Sequence, residues 1–409
     1  MFLEKRKLIA NQTIEIGGSK SISNRLLILK HLFTNIKIEN LSDSQDTSVL
    51  KQALEVPNEL VDIHHAGTAM RFLTAYFAIQ EGKTVTITGS QRMKQRPIKY
   101  LVDALTHLGA DIQYLNEEGF PPLKIIGKKL RKSNVTIPAH ISSQYITALL
   151  LIGAKLDNGL TLNLEGEITS RPYLEMTLKI LRTLEIEYKF EGNTIRIFPD
   201  HEESRGVRSA PFIVESDWSS ASYFYSLAAI SGMSINLKSF KPHSLQGDSA
   251  LREIYWEYFG VNTVSDAAEA KISLYPEKIQ NLPEKIVLNM NDCPDIAQTL
   301  CVTAVAKQIH FEISGLSTLK IKETDRLLAL HQELKKIGCL TEITDDSIRS
   351  TEFTEPYTDV SIATYNDHRM AMSFAPFALI HELTIENPEV VEKSYPKFWA
   401  DFNKITEKI

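Results

Sequence analysis

The stretch from Gly17 to Arg25, GGSKSISNR, gathers groups that could hold an anion. Lys20 and Arg25 supply fixed positive charge, Ser19, Ser21 and Ser23 supply short hydroxyls, and Gly17 and Gly18 allow close backbone approach. A nucleotide P-loop is excluded, because G-x-x-x-x-G-K-[ST] finds Ser19 directly before Lys20 and no glycine at the upstream position. The same residues also suit a capped helix start, and the segment alone leaves both readings open.

Comparable polar joints recur along the chain. HHAGTAMRFL puts Gly67 and Thr68 ahead of an apolar run, where backbone N–H groups at a helix start can take an anion. QRMKQRPIKYL sets Arg92, Lys94 and Arg96 before Pro97, which is expected in the first turn of the next helix. HISSQYITALLL offers Ser142, Ser143 and Gln144 as caps or ligand donors. In the later half, NMNDCPDIAQTL contributes Asp292 and Asp295, IKETDRLLAL contributes Lys322, Glu323, Asp325 and Arg326, TYNDHRMAMSFA contributes Asp367, His368 and Arg369, and VEKSYPKFW contributes Lys393. Asp295 and Asp325 could merely compensate a helix dipole, and Lys-Glu ahead of Asp-Arg is a usual composition for a solvated helix start. Against that, Lys20, Arg25, Arg96, Lys322, Arg326, Arg369 and Lys393 all fall at loop-to-helix joints. If they converge, they suit a ligand or ligands carrying several negative charges.

Other chemistries find less support. His64 and His65 are adjacent, so on an extended segment they point to opposite faces and do not share a metal ion. There is no G-x-S-x-G elbow and no glycine-rich dinucleotide fingerprint after a strand.

The elements that must carry these joints repeat. An amphipathic helix, a strand, a polar turn and a second strand recur four times. The helical faces are Ile98, Leu101, Val102, Leu105 and Leu108; Leu174, Leu178, Leu181 and Leu184; Leu251, Ile254, Tyr255, Tyr258 and Phe259; and Leu327, Leu330, Leu334 and Ile337. Each face ends at Gly109, Gly260 or Gly338, or at Glu185 in the glycine's place, and these junctions are spaced 76, 75 and 78 residues apart. A further first unit is shortened, because QDTSVLKQALEVPNELVDI leaves almost no room for a hairpin after its helix. Tandem units of this size predict a pseudo-symmetric α/β architecture, with helices inside and sheets outside or the reverse.

Composition sets the outer limits. A chain of 409 residues, 43% apolar and 23% charged, can bury more than one core. Its net charge of −6 argues against general nucleic-acid or acidic-membrane binding, so any phosphate must meet a local basic pocket. Cys293, Cys301 and Cys339 form no C-x-x-C pair and are expected as free, buried thiols in a reducing compartment. The opening MFLEKRKLIANQTIEI lacks a signal-peptide core and no later run reaches membrane-spanning length, so a cytoplasmic location is expected.

Taken in order, GGSKSISNR, AGTAMR, RMKQRPI, SSQYITALL, SRPYLEMTL, SDWSSASYF, QGD, PDIAQT, KETDR, YNDHRMAM and KSYPKF resemble the 5-enolpyruvylshikimate-3-phosphate synthase family over nearly the whole chain. The resemblance implies an α/β (α+β) fold of two pseudo-threefold domains built from βαβαββ units, an inside-out α/β barrel. It implies a discontinuous domain of residues 1–18 plus 215–409, an inserted domain of residues 19–214, and an active site in the cleft between them. The implied reaction moves the enolpyruvyl group of phosphoenolpyruvate to the 5-hydroxyl of shikimate 3-phosphate and releases phosphate. Lys20 would contact phosphoenolpyruvate, Gly67, Arg96 and Gln144 would surround its phosphate, and Arg326, Arg369 and Lys393 its carboxylate. Ser21, Arg25, Ser142, Ser143, Ser170, Tyr173 and Lys322 would bind shikimate 3-phosphate. Asp295 would orient the ring and take the 5-hydroxyl proton with help from Lys20, while Glu323 would give and then remove a proton at C3. The resemblance implies no metal, no organic cofactor and no nucleic-acid or membrane partner, and a monomer is expected.

Several positions depart from that family. It usually has Asn at His65, Pro at Phe72, Pro at Gly17, a small residue at Trp218 and an asparagine at Thr318. The UDP-N-acetylglucosamine enolpyruvyl transferases resemble the same fold, but carry Cys or Asp in the loop that here reads GSQRMKQRP. An idle relative that only binds an anionic metabolite is the alternative of another class, and the presence of both Asp295 and Glu323 speaks against it.

Overall fold

The computed structural model describes residues 1–33, 36–56, 59–200, 210–277 and 283–409. The chain divides into two compact units, Lys20–Val214 and Met1–Ser19 with Glu215–Ile409.

In the Lys20–Val214 unit, α1 (Lys20–Leu32) and α2 (Gln45–Glu55) flank a two-residue strand, Ile38–Glu39, which pairs in parallel with Phe212–Ile213. Two full repeats follow. Strand Leu60–Asp62, α3 (Gly67–Ala78), strand Thr84–Thr88, α4 (Lys99–Leu108) and the hairpin Asp111–Tyr114 with Leu123–Ile126 form the first. Strand Asn134–Pro138, α5 (Ser143–Gly153), strand Leu160–Glu165, α6 (Arg171–Thr183) and the hairpin Tyr188–Glu191 with Thr194–Ile197 form the second. Each repeat makes a four-stranded sheet in which the two helix-linked strands are parallel and the hairpin is antiparallel. Among the described residues the shortened first repeat shows no hairpin of its own; residues 34, 35, 57 and 58 lie outside them.

The other unit repeats the plan. Strand Gln12–Glu15 pairs with Ile235–Lys238, and that sheet is completed by Lys271–Pro276 and Val261–Asp266 around α7 (Trp218–Ser231) and α8 (Leu251–Phe259). The next repeat joins Lys285–Asn289, α9 (Ala297–Ala306), His310–Ser314, α10 (Arg326–Lys336), Cys339–Ile343 and Ile348–Phe353. A third, abbreviated repeat holds Ser361–Ile362, α11 (His368–Phe374), Leu383–Ile385 and α12 (Phe398–Ile405), completed by Phe2–Leu3 pairing with Leu383–Thr384.

The two helices of a repeat have different jobs. The first helix is buried on every side: all residues of α9 up to Val305 and all of α11 are buried, and α5 is buried from Tyr145 to Gly153. The second carries one apolar stripe, as in α4 with Leu101, Val102, Leu105 and Leu108 buried. Helices therefore lie inside and sheets outside, each sheet burying alternate residues, as in Leu160, Leu162 and Leu164. The chain turns out of the second helix through a left-handed residue at Gly109 (φ 113°), Gly260 (67°) and Gly338 (86°), and Glu185 takes the same conformation at 62°. Pro97 is not in the first turn of α4, which starts at Lys99; its carbonyl is instead held by Arg71 Nη2 at 2.9 Å and by the Tyr145 hydroxyl.

Candidate active site

In the unit of residues 1–19 and 215–409, the polar joints ahead of α9, α10 and α11 and at Lys393 come together. Arg326, the first residue of α10, is 2% exposed. Its Nε donates to Asp367 Oδ2 at 2.6 Å and its Nη2 to Asp367 Oδ1 at 3.2 Å, a two-pronged grip on one carboxylate. Its Nη1 reaches Asp295 Oδ1 at 3.1 Å and its Nη2 reaches Glu323 Oε2 at 2.8 Å. Asp367 caps α11 by accepting from the Arg369 N–H, and the Arg369 side chain donates to Asp295 Oδ2 at 3.0 Å. Lys322 Nζ lies 3.3 Å from Asp295 Oδ1, and Lys393 Nζ 2.7 Å from Glu323 Oε1. Asp295 thus faces three cations and Glu323 two. Asp325 behaves as the solvated helix start would: it caps α10 by accepting from the Leu328 N–H.

Burial and charge shape this cluster together. Burial alone would weaken the Arg326 proton, but Asp367, Glu323 and Asp295 reverse the sign and raise its pKa. Lys322 goes the other way, burial lowering it against the pull of Asp295. Asp248, buried beside the cluster and hydrogen-bonded by the Ser219 hydroxyl, has its carboxyl pushed up to about 6, first by burial and then by the charge of Asp295.

In the Lys20–Val214 unit a second cluster forms at helix starts. Lys20 opens α1 with its Nζ 3.3 Å from Asp46 Oδ2 of α2. Arg25, one turn on and 3% exposed, donates to Thr177 Oγ1 at 2.8 Å, to Ser21 O at 2.7 Å, and at 3.4 Å to Thr147 Oγ1 and Tyr173 O. It ties α1 to α5 and α6 through neutral oxygens, and burial lowers its pKa to about 10. The rings of Phe72 and Tyr173 lie 5.6 and 6.0 Å from its guanidinium carbon. Gly67 begins α3, whose start has no side-chain cap, and the Arg96 guanidinium lies so close that a Cβ on Gly67 would meet Nη1 at 2.5 Å. Gln144 Nε2 donates to Thr68 Oγ1 at 3.3 Å, joining the starts of α5 and α3. Ser142 caps α5 by accepting from the Gln144 N–H, and Ser143 is its first residue. Ser170, at φ 56°, precedes α6, and its carbonyl accepts from the Tyr173 N–H.

The structure thus brings Asp295, Lys322, Glu323, Arg326, Arg369 and Lys393 into one group. In the other unit it sets Lys20, Ser21, Gly67, Ser142, Ser143, Gln144, Ser170 and Tyr173 at helix starts, with Arg25 inside α1 and the Arg96 guanidinium against Gly67. Among the described residues no three His, Cys, Asp or Glu side chains are grouped to hold a metal. Cys293, Cys301 and Cys339 are free and buried, and burial pushes their thiols up. No helix among the described residues is long and apolar enough to cross a membrane.

The model of the EPSP synthase (3-phosphoshikimate 1-carboxyvinyltransferase) family matches residues 49–402. The chain belongs to the EPSP synthase family. A 3-phosphoshikimate 1-carboxyvinyltransferase from Bacteroides fragilis is 45% identical over 96% of this chain and 94% of its own length. One of that name from Haemophilus influenzae is 36% identical over 97% and 96%. The solved EPSP synthase from Acinetobacter baumannii shares the fold with a TM-score of 0.72 at 22% identity, covering 99% of this chain and 98% of its own.

Within this EPSP synthase family member, the unusual side chains are built in. Trp218 is fully buried, stacks edge-on against Phe240 and donates its Nε1–H to Glu215 Oε1 at 2.9 Å. Phe72 is 1% exposed beside Arg25, and Thr318 is 8% exposed ahead of Lys322. The roles of Asp367, Asp46, Arg71 and Asp248 escape the sequence. Asp367 directly precedes the helix that starts at His368, which signals a cap, but nothing in the sequence shows that its oxygens also hold Arg326.

Proposed function

We propose that this protein transfers the enolpyruvyl group of phosphoenolpyruvate to the 5-hydroxyl of shikimate 3-phosphate, releasing inorganic phosphate. Besides family membership, the observation that carries the reading is the pairing of two carboxylates, Asp295 and Glu323, inside one cluster of four cations. Two carboxylates fit a reaction in which one proton leaves an oxygen and another is given to, then taken from, a carbon.

In this reading Asp295 takes the proton from the 5-hydroxyl, assisted by Lys20, as the oxygen adds to C2 of phosphoenolpyruvate. The electron pair of the C2=C3 bond takes a proton at C3 from Glu323, giving a tetrahedral intermediate. Glu323 then removes a proton from C3, the C2=C3 bond re-forms, and the C2–O bond to phosphate breaks with its electrons leaving on phosphate. Arg326, Arg369 and Lys393 hold the phosphoenolpyruvate carboxylate, Gly67, Arg96 and Gln144 surround its phosphate, and Lys20 contacts phosphoenolpyruvate. Ser21, Arg25, Ser142, Ser143, Ser170, Tyr173, Lys322 and Asp295 hold shikimate 3-phosphate. The reading assigns both clusters to the same pair of substrates, with one domain of residues 1–18 plus 215–409 and one of residues 19–214. The fixed guanidiniums at helix starts support this, since their donors need no reorganisation as charge develops. The reading includes a monomer in the cytoplasm, the reducing location being supported by three free cysteines.

The test is phosphate release by purified protein given phosphoenolpyruvate with shikimate 3-phosphate or with UDP-N-acetylglucosamine. Release with the shikimate ester alone is expected. Release with the nucleotide sugar, or with neither from a folded protein, contradicts the reading.

A further inference from the structure

The buried helices α7, α9 and α11 are joined by hydroxyls one helical turn behind the candidate site. Thr299 lies four residues after Asp295, Ser373 four after Arg369, and Ser222 four after Trp218. Thr299 Oγ1 stands 3.1 Å from Ser222 Oγ and 3.0 Å from Ser373 Oγ. One turn further on, Thr303 Oγ1 meets Ser226 Oγ at 2.7 Å. All five side chains are buried.

Each hydroxyl has one proton to give, and that orders the chain. Ser222 donates to the Ser219 carbonyl at 2.7 Å, so it accepts from Thr299, and Thr299 in turn accepts from Ser373. The Ser219 hydroxyl donates to Asp248. The line of donation therefore runs from α11 through α9 to α7 and ends beside the buried carboxylate. Most of the rest of α9 is apolar, with Leu300, Cys301, Val302, Ala304 and Val305 buried beside the polar Gln298, and a buried hydroxyl that loses its partner is costly. Apolar faces tolerate small slides, whereas a hydrogen bond weakens steeply with distance and angle.

The Asp295–Arg369 ion pair links the α9 and α11 ends one turn above the Thr299–Ser373 bond. We propose that Thr299 is a positioning residue: by bridging Ser222 and Ser373 it fixes α9 against α7 and α11 and so keeps Asp295 aligned for proton removal. The inference rests on the proposed role of Asp295 in enolpyruvyl transfer.

Steady-state kinetics with both substrates, alongside thermal unfolding, test it on T299V, T299S and S373A. T299V keeps the shape and removes the hydroxyl; kcat is expected to fall tenfold or more while both KM values stay within threefold. T299S returns the hydroxyl and is expected to recover kcat to within threefold of the parent. S373A removes one rung and is expected to lower kcat at least threefold, which carries the test if T299V does not fold. Parental kcat in T299V or S373A overturns the proposal, as does T299S being as slow as T299V, which would assign the effect to the methyl. An inactive parent overturns the enolpyruvyl-transfer reading as well, whereas an active parent with an equally active T299V overturns only the positioning role.

Discussion

Arg326 is the residue on which the charges of its unit depend. Its guanidinium serves three carboxylates, one of which, Asp367, is wholly buried. Arg326→Lys replaces a planar fork by a point charge and leaves Asp367 under-paired, so a loss of about 3–5 kcal/mol of stability is expected in urea unfolding. Glu323→Gln keeps the shape and removes the carboxyl that can give and take a proton; turnover should fall by orders of magnitude while calorimetry finds shikimate 3-phosphate binding nearly intact. Near-parental turnover would remove Glu323 from the mechanism. Gly67→Ala drives a methyl into the Arg96 guanidinium, and an increased KM for phosphoenolpyruvate is expected with less change for shikimate 3-phosphate. Asp248 carries a pH signature. Its carboxyl is raised from 3.8 to about 6, so the native state binds the proton more tightly and this group's stabilisation is lost as pH rises through 6. Asp248→Asn should therefore gain stability relative to the parent between pH 4 and 7, read as the difference in urea midpoints; a constant difference would contradict the assignment.

At the scale of elements, the repeat was legible because its second helices are amphipathic and its hairpins alternate. Leu101, Leu105 and Leu108, or Leu174, Leu178 and Leu181, show a 3.6-residue stripe that only one packing face explains. The abbreviated repeats were not legible in the same way, since strands of two residues such as Ile38–Glu39 and Ser361–Ile362 show no periodicity. For the same reason Gln12–Glu15 could not be assigned to a sheet whose next strand begins at Ile235. At the helix starts, residue type marked Lys322, Glu323 and Arg326 as candidates but could not separate them from Asp325, which proved to be an ordinary cap. That distinction depends on which side chains of distant elements face the joint. The junctions make their own prediction. Gly338→Ala would place a methyl 2.3 Å from Thr354 O at φ 86°, and a loss of about 1–3 kcal/mol is expected in thermal or urea unfolding. An unchanged midpoint would show that the turn relaxes freely.

At the scale of the molecule, each unit collects its polar residues at the starts of helices that are otherwise buried. Helix starts offer unpaired N–H groups and a positive dipole end, and apolar helix bodies hold them in place. One unit sets two carboxylates, Asp295 and Glu323, among four cations, whereas in the other Arg25 meets neutral oxygens and aromatic rings and Lys20 meets Asp46. That division fits a reaction in which one side moves protons and the other holds anionic ligands. In the proposed reaction C3 of phosphoenolpyruvate gains and then loses a proton. The most direct measurement is magnetic resonance of the enolpyruvyl methylene after turnover in deuterium oxide with both substrates. Deuterium at C3, dependent on shikimate 3-phosphate and lost in Glu323→Gln, is the predicted result. Unlabelled product formed with full phosphate release would contradict the addition and elimination assigned here.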